Sequence, residues 1–205
     1  MEFVKASYEI QYYRADALQQ IERIGRKCYK SEGRITGTSH EAFVRMLIKR
    51  RHFPMIEHGG MLSVLFIVDR GVSHEIVRHR IASFAQESTR FCDYGGKGIV
   101  LIHPMGLTPA QIARREAHFW LTQALYDAER DEGVPPEIAR GVLPTCLKTE
   151  IVVTANLCEW RHIFNLRAVG VTGRPHPQML EVMVPLLAEV KTLIPVIFED
   201  VVVPT

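Results

Sequence analysis

Paired cysteines are missing from this chain. Only four occur in 205 residues, Cys28, Cys92, Cys146 and Cys158. They lie far apart and form no CxxC pair, which argues against a zinc ribbon or a dithiol redox site. A charge surplus is missing too. Lys and Arg number 25 against 23 Asp and Glu, for a net charge of +2 and a pI near 8.4. That is too little to imply nucleic acid, although local positive charge can still hold an anionic metabolite. No long uncharged apolar run exists. The apolar tail from Val182 to Val203 carries Glu189, Lys191, Glu199, Asp200 and two prolines, so it is a poor membrane span. Met1 to Arg14 is mixed and polar, and no signal peptide is read there. The expected setting is a reducing cytoplasm, with no membrane partner. The cluster Gly95-Gly96-Lys97-Gly98 lacks the strand, GxGxxG and helix order of a dinucleotide fold, which excludes a Rossmann reading. No internal repeat or low-complexity linker divides the chain, so residues 1–205 read as a single domain. At 47% hydrophobic and 23% charged residues, the composition suits a globular protein with one substantial core.

Periodicity and punctuation place the elements. Arg14–Arg26 reads as a helix with Ala17, Leu18, Ile21 and Ile24 at helical spacing. Gly33–Thr38 is a loop, and Ser39 is the expected N-cap of a helix over His40–Arg50 with Phe43, Leu47 and Ile48 inward. Met61–Val68 reads as a buried strand ended by Gly71. Ser73 is expected to cap a helix from His74 to about Ser83, holding Arg78, His79 and Arg80. Phe84–Tyr94 is ambiguous, the glycine cluster is a turn, and Ile99–Ile102 reads as a strand. Thr108 as N-cap and Pro109 at the first position open the clearest helix. It runs to about Glu132, with Ala113, Ala117, Trp120, Ala124, Leu125 and Ala128 along one side, and Gly133 stops it. Pro135 and Pro136 begin a short helix ending at Gly141. Leu147–Thr154 reads as a strand, Asn156–Leu166 as a helix, Gly170–Pro177 as a loop and Pro177–Val190 as a helix. Helices around a modest central sheet give an α+β class.

The densest chemistry lies between Val77 and Phe91, where Arg78, His79, Arg80, Gln86, Glu87, Ser88 and Arg90 crowd together. Arginine's rigid five-donor fork suits phosphate and carboxylate, a glutamine amide reads an imide edge, and a serine hydroxyl both donates and accepts. Together they point to a phosphorylated, planar ligand; the plainer alternative is a solvated helix with charged faces. Arg78 and Arg80, at i and i+2 of a helix, would not share a face. Ser88 has no His-Asp pair at recognisable spacing, so it reads as a polar contact and not as an acyl nucleophile. His52, Glu57 and His58 form no H-E-x-x-H pattern, and no metal site is assigned. Asn156 and Arg167, eleven residues apart, would fall on one side of a helix. The plainer reading of Asn156 is a helix N-cap.

The order of these groups resembles the flavin-dependent thymidylate synthases, the thymidylate synthase-complementing family. The likeness rests first on Arg78-His79-Arg80 followed by Ser88 and Arg90. Upstream, Arg26-x-Cys28-Tyr29-x-Ser31 and His52 with Glu57-His58 match. Downstream, Leu143-Pro144, Lys148-Thr149-Glu150, Thr154-x-Asn156 and Trp160-Arg161-His162 through Leu166-Arg167 match, so the likeness spans roughly residues 20 to 185. It implies the family's α+β fold and FAD-dependent methylation of dUMP to dTMP, with 5,10-methylenetetrahydrofolate as donor and NADPH as reductant. It assigns His52, Arg78, His79, Arg80 and Asn156 to the flavin. Gln86, Ser88, Arg90 and Arg167 go to the nucleotide, with Ser88 and Arg90 helping to activate the pyrimidine. It also implies a homotetramer with shared sites. Four positions depart from the family pattern. Cys158 stands where an arginine is usual, Leu180 replaces an arginine used toward the phosphate, Phe91 replaces Tyr, and Ala85 replaces a polar residue. Arg174, six residues before Leu180, is the expected substitute for the lost phosphate charge. The departures keep two alternatives open: a related enzyme acting on another pyrimidine nucleotide, or a non-catalytic flavin- or nucleotide-binding protein.

Overall fold

The computed structural model describes residues 1–204 and shows a mixed α+β protein. Its strands are β1 (Glu2–Val4), β2 (Ser7–Tyr12), β3 (Met61–Asp69), β4 (Ser83–Gln86), β5 (Val100–Ile102) and β6 (Lys148–Asn156). Its helices are α1 (Ala17–Cys28), α2 (Ser39–Lys49), α3 (Arg70–Ile76), α4 (Pro109–Asp131), α5 (Pro136–Ala139), α6 (Leu157–Phe164) and α7 (Pro177–Leu193). Four strands hydrogen-bond in the order β2-β3-β6-β4, and β1 pairs in parallel with β5. The chain packs as two compact units. One comprises Met1–Ser7, Phe66–Arg78 and Phe84–Val152; the other comprises Tyr8–Leu65, His79–Ser83 and the chain from Val153 onward.

In the first unit Ile99, Leu101, Phe119 and Leu147 form a buried cluster, with Phe3, Tyr94 and Leu143 against it. The long helix α4 begins as its sequence dictates. Thr108 Oγ1 accepts from Gln111 N–H at 3.3 Å and Gln111 Oε1 accepts from Thr108 N–H at 2.8 Å, a reciprocal capping box. The buried face, however, is Phe119, Thr122, Gln123 and Tyr126, and the apolar side with Trp120, Leu121 and Leu125 is exposed. Polar partners explain the choice: Gln123 Oε1 takes the buried N–H of Ile99, and Tyr126 donates to Asp93.

The second unit is held by α1, α2, α6 and α7. Ile21, Val44, Leu47, Leu62, Val64, Trp160, Phe164 and Met183 are fully buried. Trp160 donates its indole N–H to Leu62 O at 2.8 Å, and Phe164 stands edge-on to Phe198 at 5.5 Å. Gly25 lets α1 approach α2: a Cβ there would lie 2.7 Å from the Phe43 ring.

Several expectations need correction. Ser39 is not an N-cap; its hydroxyl donates to buried Glu22 at 2.9 Å. Ser73 does not cap α3. Asp69 does, accepting from Val72 N–H at 2.6 Å. The helix therefore starts earlier and ends at Ile76, and Arg78, His79 and Arg80 lie in the turn beyond it. Gly71 sits inside α3 and does not end β3. Asn156 is the N-cap of α6, and residues Asn165–Val169 wind as a π-helix. The three-turn arithmetic linking Asn156 to Arg167 fails for both reasons. The N-terminal strands were not read from the sequence at all.

Candidate functional site

In the second unit the side chains converge on His79, which is 4% exposed. Arg167 Nε–H donates to His79 Nε2 at 3.2 Å. That contact makes Nε2 the acceptor and leaves the proton on Nδ1, which faces Glu159 Oε1 at 3.6 Å. His162 stands edge-on to the same ring at 5.6 Å. Burial first, then the nearby positive charge of Arg167 and His162, pushes the His79 pKa from 6.5 down to about 4. Burial pushes Glu159 upward against the pull of His162. The ring is thus held neutral at ordinary pH.

The helix α6 supplies this cluster. Asn156 Oδ1 accepts from Glu159 N–H at 2.8 Å, fixing the first turn and leaving the amide NH2 to donate elsewhere. Glu159 and His162 project from that helix, and the π turn after it carries Arg167. His79, Glu159 and His162 are the one trio of metal-capable side chains found among the described residues. Arg167 occupies one imidazole nitrogen and adds a cation beside the group, so the setting opposes a bound metal.

Other expected residues of this unit stand apart from that chain. His52 is exposed, with Nδ1 3.5 Å from Tyr29 Oη. Arg80 and Arg174 are exposed, and among the described residues neither has a carboxylate partner. Glu57 and His58 are exposed in the 3-10 segment Phe53–Gly59. Leu180 is half-buried on α7. Cys158 lines a cavity of about 180 Å³ with Phe53, Arg161, His162 and Asn165. Arg161 is engaged by Asp200 at 2.7 Å and lies over the Phe53 ring, a structural role.

In the first unit a polar loop follows β4. Gln86 Nε2 donates to Ser73 Oγ at 2.9 Å and Thr149 Oγ1 at 3.2 Å. Its amide is thereby fixed with Oε1 left to accept. Ser88 Oγ accepts from Arg90 N–H at 3.3 Å, which leaves the hydroxyl proton to donate. Glu87 anchors the loop: Tyr94 O–H donates to it at 2.6 Å, Glu150 N–H at 3.3 Å, and Lys148 lies 3.5 Å away. Burial and that carboxylate hold the Tyr94 phenol well above its usual range. Arg90 is exposed, and Arg78 is exposed on the turn after α3.

Arg140 is the residue that the sequence reading missed. Its Nη1 donates to the buried Thr89 Oγ1 at 3.2 Å, bringing a further guanidinium to the Ser88–Arg90 loop. The available signal was its place three residues before Leu143-Pro144. No thiol is activated by its surroundings at Cys146 or Cys158, since burial raises both.

The family model described as thymidylate synthase complementing protein matches residues 9–196. A flavin-dependent thymidylate synthase of Geobacter sulfurreducens is 35% identical over 184 residues, covering 85% of this chain and 78% of that protein. One from Corynebacterium glutamicum is 29% identical over 203 residues, covering 91% and 79%. Among solved structures, a UMP/dUMP methylase from Streptomyces cacaoi bound with 5-Br dUMP superposes with a TM-score of 0.84 at 22% identity over the full length of both chains, which establishes the shared fold.

Proposed function

This chain belongs to the thymidylate synthase complementing protein family, and from that premise we propose that it methylates dUMP to dTMP as an FAD-dependent enzyme. In this reading 5,10-methylenetetrahydrofolate is the one-carbon donor, NADPH is the reductant, and a homotetramer shares its sites among subunits. The observation that carries the reading is the state of the motif arginines. Arg26, Arg45, Arg130 and Arg161 are held by carboxylates of the chain. Arg78, Arg80 and Arg90 are exposed and have no such partner among the described residues. Uncommitted forks of this kind suit the phosphates of a dinucleotide and a nucleotide.

The donor set fits FAD. Arg78 and Arg80 offer charge to a pyrophosphate, and Asn156 keeps only donors free. His52 is accessible, and the buried, neutral His79 stands between the two arginines in the sequence. FAD when bound supplies the redox chemistry, and the chain supplies position and charge.

Toward the pyrimidine, Gln86 presents a fixed carbonyl oxygen that matches the N3–H of uracil. Ser88 donates its hydroxyl proton to a ring carbonyl, and Arg90 adds positive charge that draws electron density toward the ring carbonyls and so polarises the C5–C6 double bond. Arg90 and Arg140 are the first unit's candidates for the phosphate, and Arg167 and Arg174 keep the nucleotide role given them in the sequence reading. Charge from Arg140 reduces the force of the Leu180 departure.

A second reading keeps the chemistry and changes the nucleotide. It is favoured by Cys158 and Leu180, where the sequence lacks two usual arginines. Incubation with FAD, NADPH, methylenetetrahydrofolate and either dUMP, UMP or dCMP separates the two. Formation of dTMP is expected with dUMP. A methylated product from UMP or dCMP alone would select the second reading, and a colourless protein that binds no flavin would remove both.

A further inference from the structure

Glu87 stands where the chain leaves β4, between Gln86 and Ser88. Its backbone N–H donates to Glu150 O on β6 at 2.9 Å. The N–H of Glu150 is taken in return by the Glu87 carboxylate, with Oε2 at 3.3 Å. The Glu87 carbonyl is turned elsewhere and accepts from Arg70 Nη2 at 2.9 Å. The side chain thus stands in for a backbone acceptor. It satisfies a donor of β6 while the main chain turns off the sheet.

The second carboxylate oxygen closes the loop that follows. Tyr94 O–H donates to Glu87 Oε1 at 2.6 Å, across the neck of the loop. Inside the neck, Ser88 O accepts from the N–H groups of Phe91 and Cys92 at 3.1 and 2.9 Å, so residues 88–92 form one hydrogen-bonded turn. Tyr94 is held from the core side. Its ring packs on the cluster of Ile99, Leu101, Phe119 and Leu147. Its N–H donates to Tyr126 Oη at 3.4 Å, and Tyr126 in turn donates to Asp93, which Arg130 pairs at 2.8 Å. We propose, on the reading of Ser88 as a pyrimidine contact, that Glu87 and Tyr94 are positioning residues: their hydrogen bond closes the neck and so places the Ser88 hydroxyl against the ring carbonyl.

Ser88 is the group most sensitive to the neck. Its side chain is short, so the backbone beside Glu87 decides where the hydroxyl stands. Arg90 reaches its ligand on a long side chain that absorbs a small shift of the turn. With the neck open, the turn samples positions in which Ser88 misses the ring, and apparent affinity falls with the fraction of molecules that remain competent. A phenol donating to a carboxylate is strong enough to make that fall roughly tenfold. An amide at position 87 preserves the closure. Its carbonyl accepts the Glu150 N–H, and its NH2 donates to the phenol oxygen.

Calorimetric titration of dUMP into the FAD-loaded protein tests this. Tyr94→Phe keeps the ring on the core and removes only the O–H. It should bind dUMP roughly tenfold more weakly than the parent, with FAD affinity unchanged. Glu87→Gln should stay within about twofold of the parent. Ser88→Ala should bind more weakly by itself, and Tyr94→Phe added to it should lower affinity by less than about twofold more, because the neck acts through the hydroxyl already removed. Parental affinity in Tyr94→Phe would overturn the proposal. So would a loss that persists in full in the Ser88→Ala background, a matching loss of FAD affinity, or a Glu87→Gln protein as weak as Tyr94→Phe. A parent that binds no dUMP would overturn the nucleotide reading itself, and the role of Glu87 and Tyr94 with it.

Discussion

His79 should make this protein acid-labile in a calculable way. The ring is buried neutral, with its pKa depressed from 6.5 to about 4. In the unfolded chain the ring takes up a proton as pH falls through 6.5; in the folded chain it resists until about 4. Its stabilising contribution is therefore complete above about pH 6.5 and is lost between there and pH 4. Integrating the two titrations, the loss from pH 7 to pH 5 is about 2 kcal/mol. For a chain of this length that corresponds to a melting point lower by about 4–8 °C. Glu159 is shifted the other way, upward by burial, so its contribution has the opposite sign: it is present at low pH and is lost as pH rises through the raised folded value. The informative quantity is a difference between two proteins. His79→Gln keeps an acceptor for Arg167 and cannot take up a proton. Urea unfolding followed by fluorescence of Trp120 and Trp160, at fixed protein concentration, should show the parent losing about 2 kcal/mol more than His79→Gln over that interval. Equal losses in the two proteins would refute the reasoning, because His79 would then titrate normally in the folded state.

Three further outcomes follow from the proposed site. Arg78→Ala should weaken FAD binding by roughly 10- to 100-fold, the loss of one charge-assisted contact, measured by flavin titration of the folded variant; unchanged affinity removes Arg78 from the cofactor. Alanine in place of Cys28, Cys92, Cys146 or Cys158, one at a time, should leave dTMP formation measurable, since no thiol is assigned to the chemistry; a folded variant that binds flavin and nucleotide yet shows no turnover would reinstate a thiol nucleophile. Arg90→Ala, Arg140→Ala and Arg174→Ala should each lose roughly tenfold or more of the preference for dUMP over deoxyuridine in equilibrium binding. Any one that keeps the full preference does not hold the phosphate.

The sequence made local features legible and left pairings hidden. Thr108, Pro109 and Gln111 announce the start of α4 because every partner of the capping box is within three residues. Which face of α4 turns inward depended on Ile99 and Asp93, distant residues whose polar needs select Gln123 and Tyr126 over Trp120 and Leu125. Periodicity reports that a helix has an apolar side; it carries no information on whether the same chain covers it. The parallel pairing of β1 with β5 joins residues nearly a hundred positions apart, and neither strand is long enough to show alternation. Ser73 and Asp69 were both capable caps, and only tertiary placement decided between them.

The same distinction applies to the site. The spacing of Arg78, His79, Arg80, Ser88 and Arg90 is visible in a linear string, and so is the capacity of Asn156 to cap a helix. The neutral state of His79 is not, because it depends first on burial and then on Arg167, eighty-eight residues later. The link between them is geometric. Asn156 starts α6, Glu159 and His162 leave its first turns, and the π-wound turn rotates Arg167 relative to a straight α-helical continuation. A helix that stayed α through Val169 would aim residue 167 elsewhere, and His79 would lose the donor that fixes its tautomer. The irregular turn therefore places the donor that fixes the tautomer of the buried His79 and adds to the burial that keeps the ring neutral.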